Sequence, residues 1–247
     1  MTTRAEFIAR IRAEMGKTRG LPPAAPARRP ERPRAAAEAI RRELAERWPE
    51  ALERFRRELE QVGGVFYRVP TLAEAAPVVA GIARDRGARR LVGWHAAEIG
   101  GDLVPALAAL GLEAVSMPPG EVASAAERRR LRELVAAAEL GLTGADLAIA
   151  ETGTLVLRTG PGRPRSTSLL PSYHIALFDR TALVESLAQA GVVLESWHAD
   201  GQSRRDGAVI SFITGPSRTA DIELTLTRGV HGPKEVHAIF VEAPAGG

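Results

Sequence analysis

After Gly63-Gly64 the sequence settles into a rhythm in which short apolar runs at 65–69 (VFYRV), 90–94 (RLVGW) and 112–116 (LEAVS) alternate with helical stretches near 71–86, 99–110 and 123–140. Strands separated by helix-length segments are not tight hairpins, and the pattern argues for largely parallel pairing through crossovers. A parallel sheet of that kind needs helices over its faces. Further strands are expected as a pair at 146–150 and 153–158, and at 174–178, 207–214 and 235–242, with a helix at 180–190 and another opening near Thr219 or Ala220. The expected fold is three-layer α/β: a mostly parallel sheet flanked by helices, with a helical N-terminal extension.

That extension has three parts. Residues 4–15 space Phe7, Ile8, Ile11 and Met15 at helical intervals, which predicts a helix over 1–15. Residues 16–34 hold five prolines and six basic residues and read as an extended linker or arm. Residues 35–62 form a helical extension with Ile40, Leu44, Trp48, Leu52, Phe55 and Leu59 on one stripe, which Pro49 either kinks or splits. The α/β domain is expected over 63–247.

Composition narrows the chemistry. The chain has no cysteine, so it can supply no disulfide, thiolate nucleophile, cysteine-bound zinc or conventional iron–sulfur cluster. Its basicity is local: residues 1–34 carry nine Arg and Lys against three Glu, a net of +6, whereas the whole chain is +3, leaving residues 35–247 at −3. A folded body that is slightly acidic argues against a nucleic-acid binder, which carries a basic patch on its folded face. No run approaches the roughly 20 apolar residues of a membrane span, and the charged start MTTRAEFIARIRAEMG lacks a secretory core. A soluble cytoplasmic protein is expected. The histidines show no HExxH or close cluster, so no metal site is expected.

Three segments at predicted strand ends could carry chemistry, because open α/β sheets place their ligands there. In AIAETGTLVL (148–157) a glutamate sits in a turn between two apolar runs. Glu151, followed by Thr152 and Gly153, is a candidate nucleophile or base if the turn holds its carboxylate away from water, and an exposed turn residue otherwise. In the loop RTGPGRPRSTSLLPSYHIALF (158–178), Arg158, Arg163 and Arg165 precede a strand opening with His174. The arginines could close on an anion, with Arg165 the chosen candidate, and His174 is a candidate acid–base group. The third segment, ITGPSRTADIELTLTRGVHGPKEVHAIFVE (213–242), runs through Gly215, Ser217, Arg218 and Thr219 into a predicted helix, whose N-terminus would favour an anion. Simple capping by Ser217 or Thr219 explains the hydroxyls equally well but leaves Arg218 without a role. His231, in the return turn, completes the anion-binding candidates.

LTGADLAIAETGTLVL (142–157), SLLPSYHIAL (168–177) and residues 213–242, in that order, resemble the LUD-domain family of lactate utilization proteins C. The resemblance implies an α/β fold related to the NagB/RpiA/CoA transferase group. It also implies a part in oxidising L-lactate to pyruvate, with partner proteins that carry iron–sulfur clusters and a small 2-hydroxy acid or other anion as ligand. CoA transferases of the related fold use a glutamate in a Glu-Asn-Gly turn as nucleophile. Glu151-Thr152-Gly153 is similar in kind, with Thr in place of Asn. A stand-alone acyl- or CoA-transferase using Glu151, and a non-catalytic scaffold subunit, are the alternatives.

Overall fold

A computed structural model describes residues 3–17, 30–199, 209–220 and 226–243. The chain divides into two compact units, Met1–Glu31 and Arg32–Gly247. The first contains helix α1 (Arg4–Lys17), whose first turn is closed by a reciprocal pair: the Glu6 carboxylate accepts the Thr3 N–H and Thr3 Oγ1 accepts the Glu6 N–H. Residues 18–29 of the expected arm lie outside the described residues.

The second unit opens with α2 (Pro33–Gln61), which runs unbroken through Pro49. Ala45, whose carbonyl loses its partner to the proline, and Pro49 itself are both exposed, so that carbonyl is open to solvent rather than buried without a bond. The opposite stripe buries Leu44, Ala51, Leu52, Phe55 and Leu59. There Phe55 meets Phe66 and Phe178 edge-on, and Trp48 stacks on Phe240 at 5.5 Å.

The chain then alternates as expected: β1 (Val65–Val69), α3 (Ala75–Arg86), β2 (Arg90–Gly93), α4 (Val104–Ala109), β3 (Glu113–Ser116), α5 (Ala125–Ala137) and β4 (Leu140–Gly144). There follow the hairpin β5 (Leu147–Ile149) and β6 (Thr154–Arg158), α6 (Ser166–Leu169), β7 (Tyr173–Phe178), β8 (Leu183–Val184) and α7 (Leu187–His198). The chain ends through β9 (Ile210–Ile213), β10 (Arg218–Ala220), β11 (Leu226–Arg228) and β12 (Glu235–Val241).

Six strands form one parallel sheet in the order β1-β12-β7-β4-β2-β3. Different helices cover its two faces. On β2, Val92 packs with Leu131 and Val135 of α5, while Leu91 joins the cluster that includes Val79 of α3 and Leu107 of α4. This is the expected three-layer arrangement. A second, mixed sheet, β8-β5-β6-β9, buries Leu147, Ile149 and Val156 against Ala37 of α2 and Val193 of α7.

The run LGLTG, assigned to no strand from sequence, is β4, a central strand buried along its whole length, and the helix expected near 123–140 ends at Ala137. Two further local expectations are corrected. The helix expected at 180–190 is a 3₁₀ turn at 180–182 held by Asp179, followed by β8 and then by α7. Ser186 starts α7 by accepting the Gln189 N–H, while Gln189 Oε1 accepts the Glu185 N–H, which moves the helix start several residues on. No helix opens at Thr219: residues 218–220 form β10, paired antiparallel with β11.

Candidate functional site

In a parallel sheet, neighbouring strands whose connections leave in opposite directions open a crevice at their carboxyl ends. Here β2 leads toward β3 and β4 leads, through the hairpin, toward β7, so the crevice falls between Trp94-His95 and Ala145-Asp146. The loop after β6 is folded over it. The Trp94 indole donates to the Pro164 carbonyl at 3.2 Å, the His95 N–H donates to Gly162 at 2.9 Å, and Gly160 and Arg163 pair with each other. Gly162 has φ +73°, and a Cβ there would press on His95 Cβ at 2.9 Å. Glycine is what lets this loop lie so close.

Asp146 ties the loop down. Its carboxylate accepts the Arg158 N–H at 2.7 Å, Arg158 Nε at 2.8 Å and Arg163 Nη1 at 3.1 Å. Arg163 Nε also lies 3.2 Å from Glu98 Oε2, in an ion pair whose angle leaves the buried N–H without a hydrogen bond. The side chains of Asp146 and Arg163 are only 9% and 15% exposed. Charges this well covered hold one geometry because either one alone would be costly to bury. Arg158 also lies 4.2 Å over the Trp197 ring.

Two cavities flank this network. A small one of about 160 Å³ lies at the carboxyl ends of β4, β7 and β12 and is lined by Glu98, Asp146 and Asp179. Its carboxylates are already engaged: Asp179 accepts from Thr181 N and Oγ1, and the other two face Arg163. The larger, about 590 Å³, lies between α5, the loop after β3 and the 159–164 loop. Leu131 and Val135 line it beside Met117, and Arg128 and Arg132 belong to the same wall. Among the described residues no group of three or more His, Asp or Glu is arranged to hold a metal ion.

The residues selected from sequence fall in several places. Glu151 is exposed, and its Oε2 accepts the Leu187 N–H at the start of α7, a favourable place for a carboxylate. His174 is fully buried on β7, its Nε2 2.8 Å from Thr143 Oγ1, and burial pushes its pKa down to about 3, with His237 nearby adding to the shift. Arg165 is exposed at the start of α6. Glu151 thus sits at the surface with Leu187, and His174 inside the sheet with Thr143.

Four others converge on the carboxyl end of α2. A Cβ on Gly153 would collide with the Leu59 backbone nitrogen, and one on Gly215 would lie 2.8 Å from the Val62 carbonyl oxygen. Arg218 donates to that same carbonyl, and Thr152 Oγ1 is linked through Thr154 to Thr214 by two 2.7 Å hydroxyl contacts. Arg218 therefore has a role the sequence did not reveal: it caps α2 where the helix dipole is negative. Ser217 is held by backbone bonds to Pro233 and Gly229, and His231 is exposed on the adjoining loop. Of Thr219 only the backbone, in β10, is described. Among the described residues a strand, not a helix N-terminus, follows the 215–219 turn.

Sequence reasoning missed Glu98 and Asp146, and chose Arg165 rather than Arg158 and Arg163. The available signal was an aspartate directly after an apolar run, Gly144-Ala145-Asp146, followed within one hairpin by two arginines.

A DUF162 family protein of known crystal structure from Deinococcus radiodurans shares this fold, with a TM-score of 0.53 at 22% identity over 78% of this chain and 98% of that one. In sequence, the chain is 44% identical over 122 residues to lactate utilization protein C of Halalkalibacterium halodurans, covering 49% of this chain and 52% of that protein. It is 44% identical over 110 residues to lactate utilization protein C of an Exiguobacterium species, 44% of this chain and 47% of that protein. The matches span about half the length of these curated relatives. The LUD domain family model matches residues 52–241, from the middle of α2 to the end of β12, and this chain belongs to that family.

Proposed function

We propose that this chain is the cysteine-free component of a system that oxidises L-lactate to pyruvate together with iron–sulfur partner proteins. The observation that carries the reading is the 44% identity to proteins named lactate utilization protein C. The chemistry of the chain supports the division of labour. Oxidising the C2 hydroxyl of lactate to a ketone releases two electrons and two protons, and a chain without cysteine cannot hold a conventional cluster to receive the electrons. Partner proteins with clusters would take them, and this chain would contribute binding and orientation of the organic acid at the carboxyl edge of its parallel sheet. The acyltransferase alternative has less support, because Glu151 spends one carboxylate oxygen on capping α7.

The test is L-lactate-dependent dye reduction in extracts of cells that carry this gene, with the gene present, deleted and restored. Loss on deletion and recovery on restoration are expected. Undiminished reduction after deletion would overturn the reading.

A further inference from the structure

The larger cavity is oversized for a three-carbon acid. Six heavy atoms displace at most about six waters, roughly 180 Å³ at 30 Å³ each, against about 590 Å³ available. That volume lies within the range of sites that enclose whole cofactors or nucleotides.

Its walls differ in character. The floor is aliphatic, built from Met117, Leu131 and Val135. Arg128 and Arg132 lie one helical turn apart on the same rim as Glu121. Arg128 uses Nη1 to hold the Val122 and Ala123 carbonyls, and Arg132 uses Nε on the Arg128 carbonyl. Among the described residues neither arginine pairs with a carboxylate. The guanidinium groups have donors to spare for an anion.

The opposite lip, Gly160-Pro161-Gly162, presents backbone rather than long side chains, so a ligand can approach it closely. The lip is fixed in advance by Trp94, His95 and the Asp146 network. A preformed wall reduces the ordering cost of binding.

We infer that this cleft binds a phosphate ester the size of a mononucleotide, its ring against the aliphatic floor and its phosphate on Arg128 and Arg132. A bare acid would leave the floor uncovered, and an uncharged ring would leave the spare donors of both guanidinium groups without an acceptor. The inference does not depend on lactate, because binding is measured on the purified full-length chain.

The experiment is titration calorimetry with adenosine 5′-phosphate, flavin mononucleotide, adenosine and inorganic phosphate. At least one nucleotide should bind saturably, with adenosine and phosphate each weaker by about tenfold or more, as expected when one of two contributing contacts is lost. Arg132→Glu should weaken the nucleotide by about tenfold or more. Leu131→Trp, which fills the cleft from a half-buried position, should do the same in a chain that still unfolds in one cooperative transition. Three results would each overturn the inference: neither nucleotide saturates below about 1 mM, inorganic phosphate binds as tightly as the esters (an adventitious ion only), or nucleotide binding survives both substitutions.

Discussion

Thr143 Oγ1 and His174 Nε2 lie 2.8 Å apart inside the parallel sheet, on adjacent strands and both fully buried. The imidazole is therefore neutral in the folded chain, its pKa lowered to about 3 first by burial and then by His237. The unfolded chain takes up that proton near pH 6.5. The contribution of His174 to stability is thus complete above pH 6.5 and is lost as pH falls through the window from 6.5 to 3. Denaturant unfolding should show the protein about 2 kcal/mol less stable at pH 5 than at pH 7 on account of this residue. His237, also lowered by burial, acts in the same direction. In His174→Asn the pH-dependent loss should shrink, whatever the variant's overall stability. An unchanged slope would place the titrating group elsewhere.

Asp146 holds three donors from Arg158 and Arg163, and its side chain is 9% exposed. Asp146→Ala leaves both guanidinium groups without their shared carboxylate, and breaking a covered pair of this kind costs about 3–5 kcal/mol. For a chain of this length the melting point should fall by about 6–20 °C. The 159–164 loop should gain protease sensitivity, since Asp146 is one of its main anchors. A drop of only a degree or two would show that the charges are solvated rather than structural.

Glu151 offers a cleaner separation of stability from chemistry. It is exposed, and Glu151→Gln keeps an oxygen able to accept the Leu187 N–H while removing the charge from the start of α7. The loss of that helix-end charge is worth about 0.3–1 kcal/mol, so the variant should melt within a few degrees of the parent. If Glu151 takes part in lactate oxidation, restoring a deletion strain with this variant should fail to recover dye reduction despite normal protein levels. Full recovery would remove Glu151 from the chemistry and leave it as a helix cap.

The fold was legible where hydrophobic rhythm carries it. The alternating segments from Val65 to Ala137 obey the parallel-sheet pattern, and the hairpin around Glu151 stands out by its two apolar arms. Strand β4 was hidden by its glycines. A Cβ on Gly141 would collide with the Thr167 carbonyl oxygen and one on Gly144 with that of Glu98, so the residues that weaken the strand signal are those that admit neighbouring backbone. The site was less legible because its members are brought together by topology. Glu98, Asp146 and Arg163 come from three separate loops, and no spacing rule links them. Arg218 shows the reverse: its turn chemistry was visible, but its partner, the Val62 carbonyl, is 156 residues away.

Two glycines of nearly equal backbone angle separate conformational strain from close approach. Gly87, at the end of α3, has φ +63° and nothing within 4 Å of where a Cβ would sit. Gly153 has φ +61°, but its Cβ would collide with the backbone of Glu58 and Leu59 in α2. Gly87→Ala should therefore cost only the left-handed backbone penalty, about 1 kcal/mol. Gly153→Ala adds a clash between two main chains, which no rotamer change can relieve. It should cost at least about 2 kcal/mol more, a further 4–8 °C in melting point. If the two variants melt together, the Glu151 turn does not lean on α2, and α2 is not what fixes the orientation of Glu151.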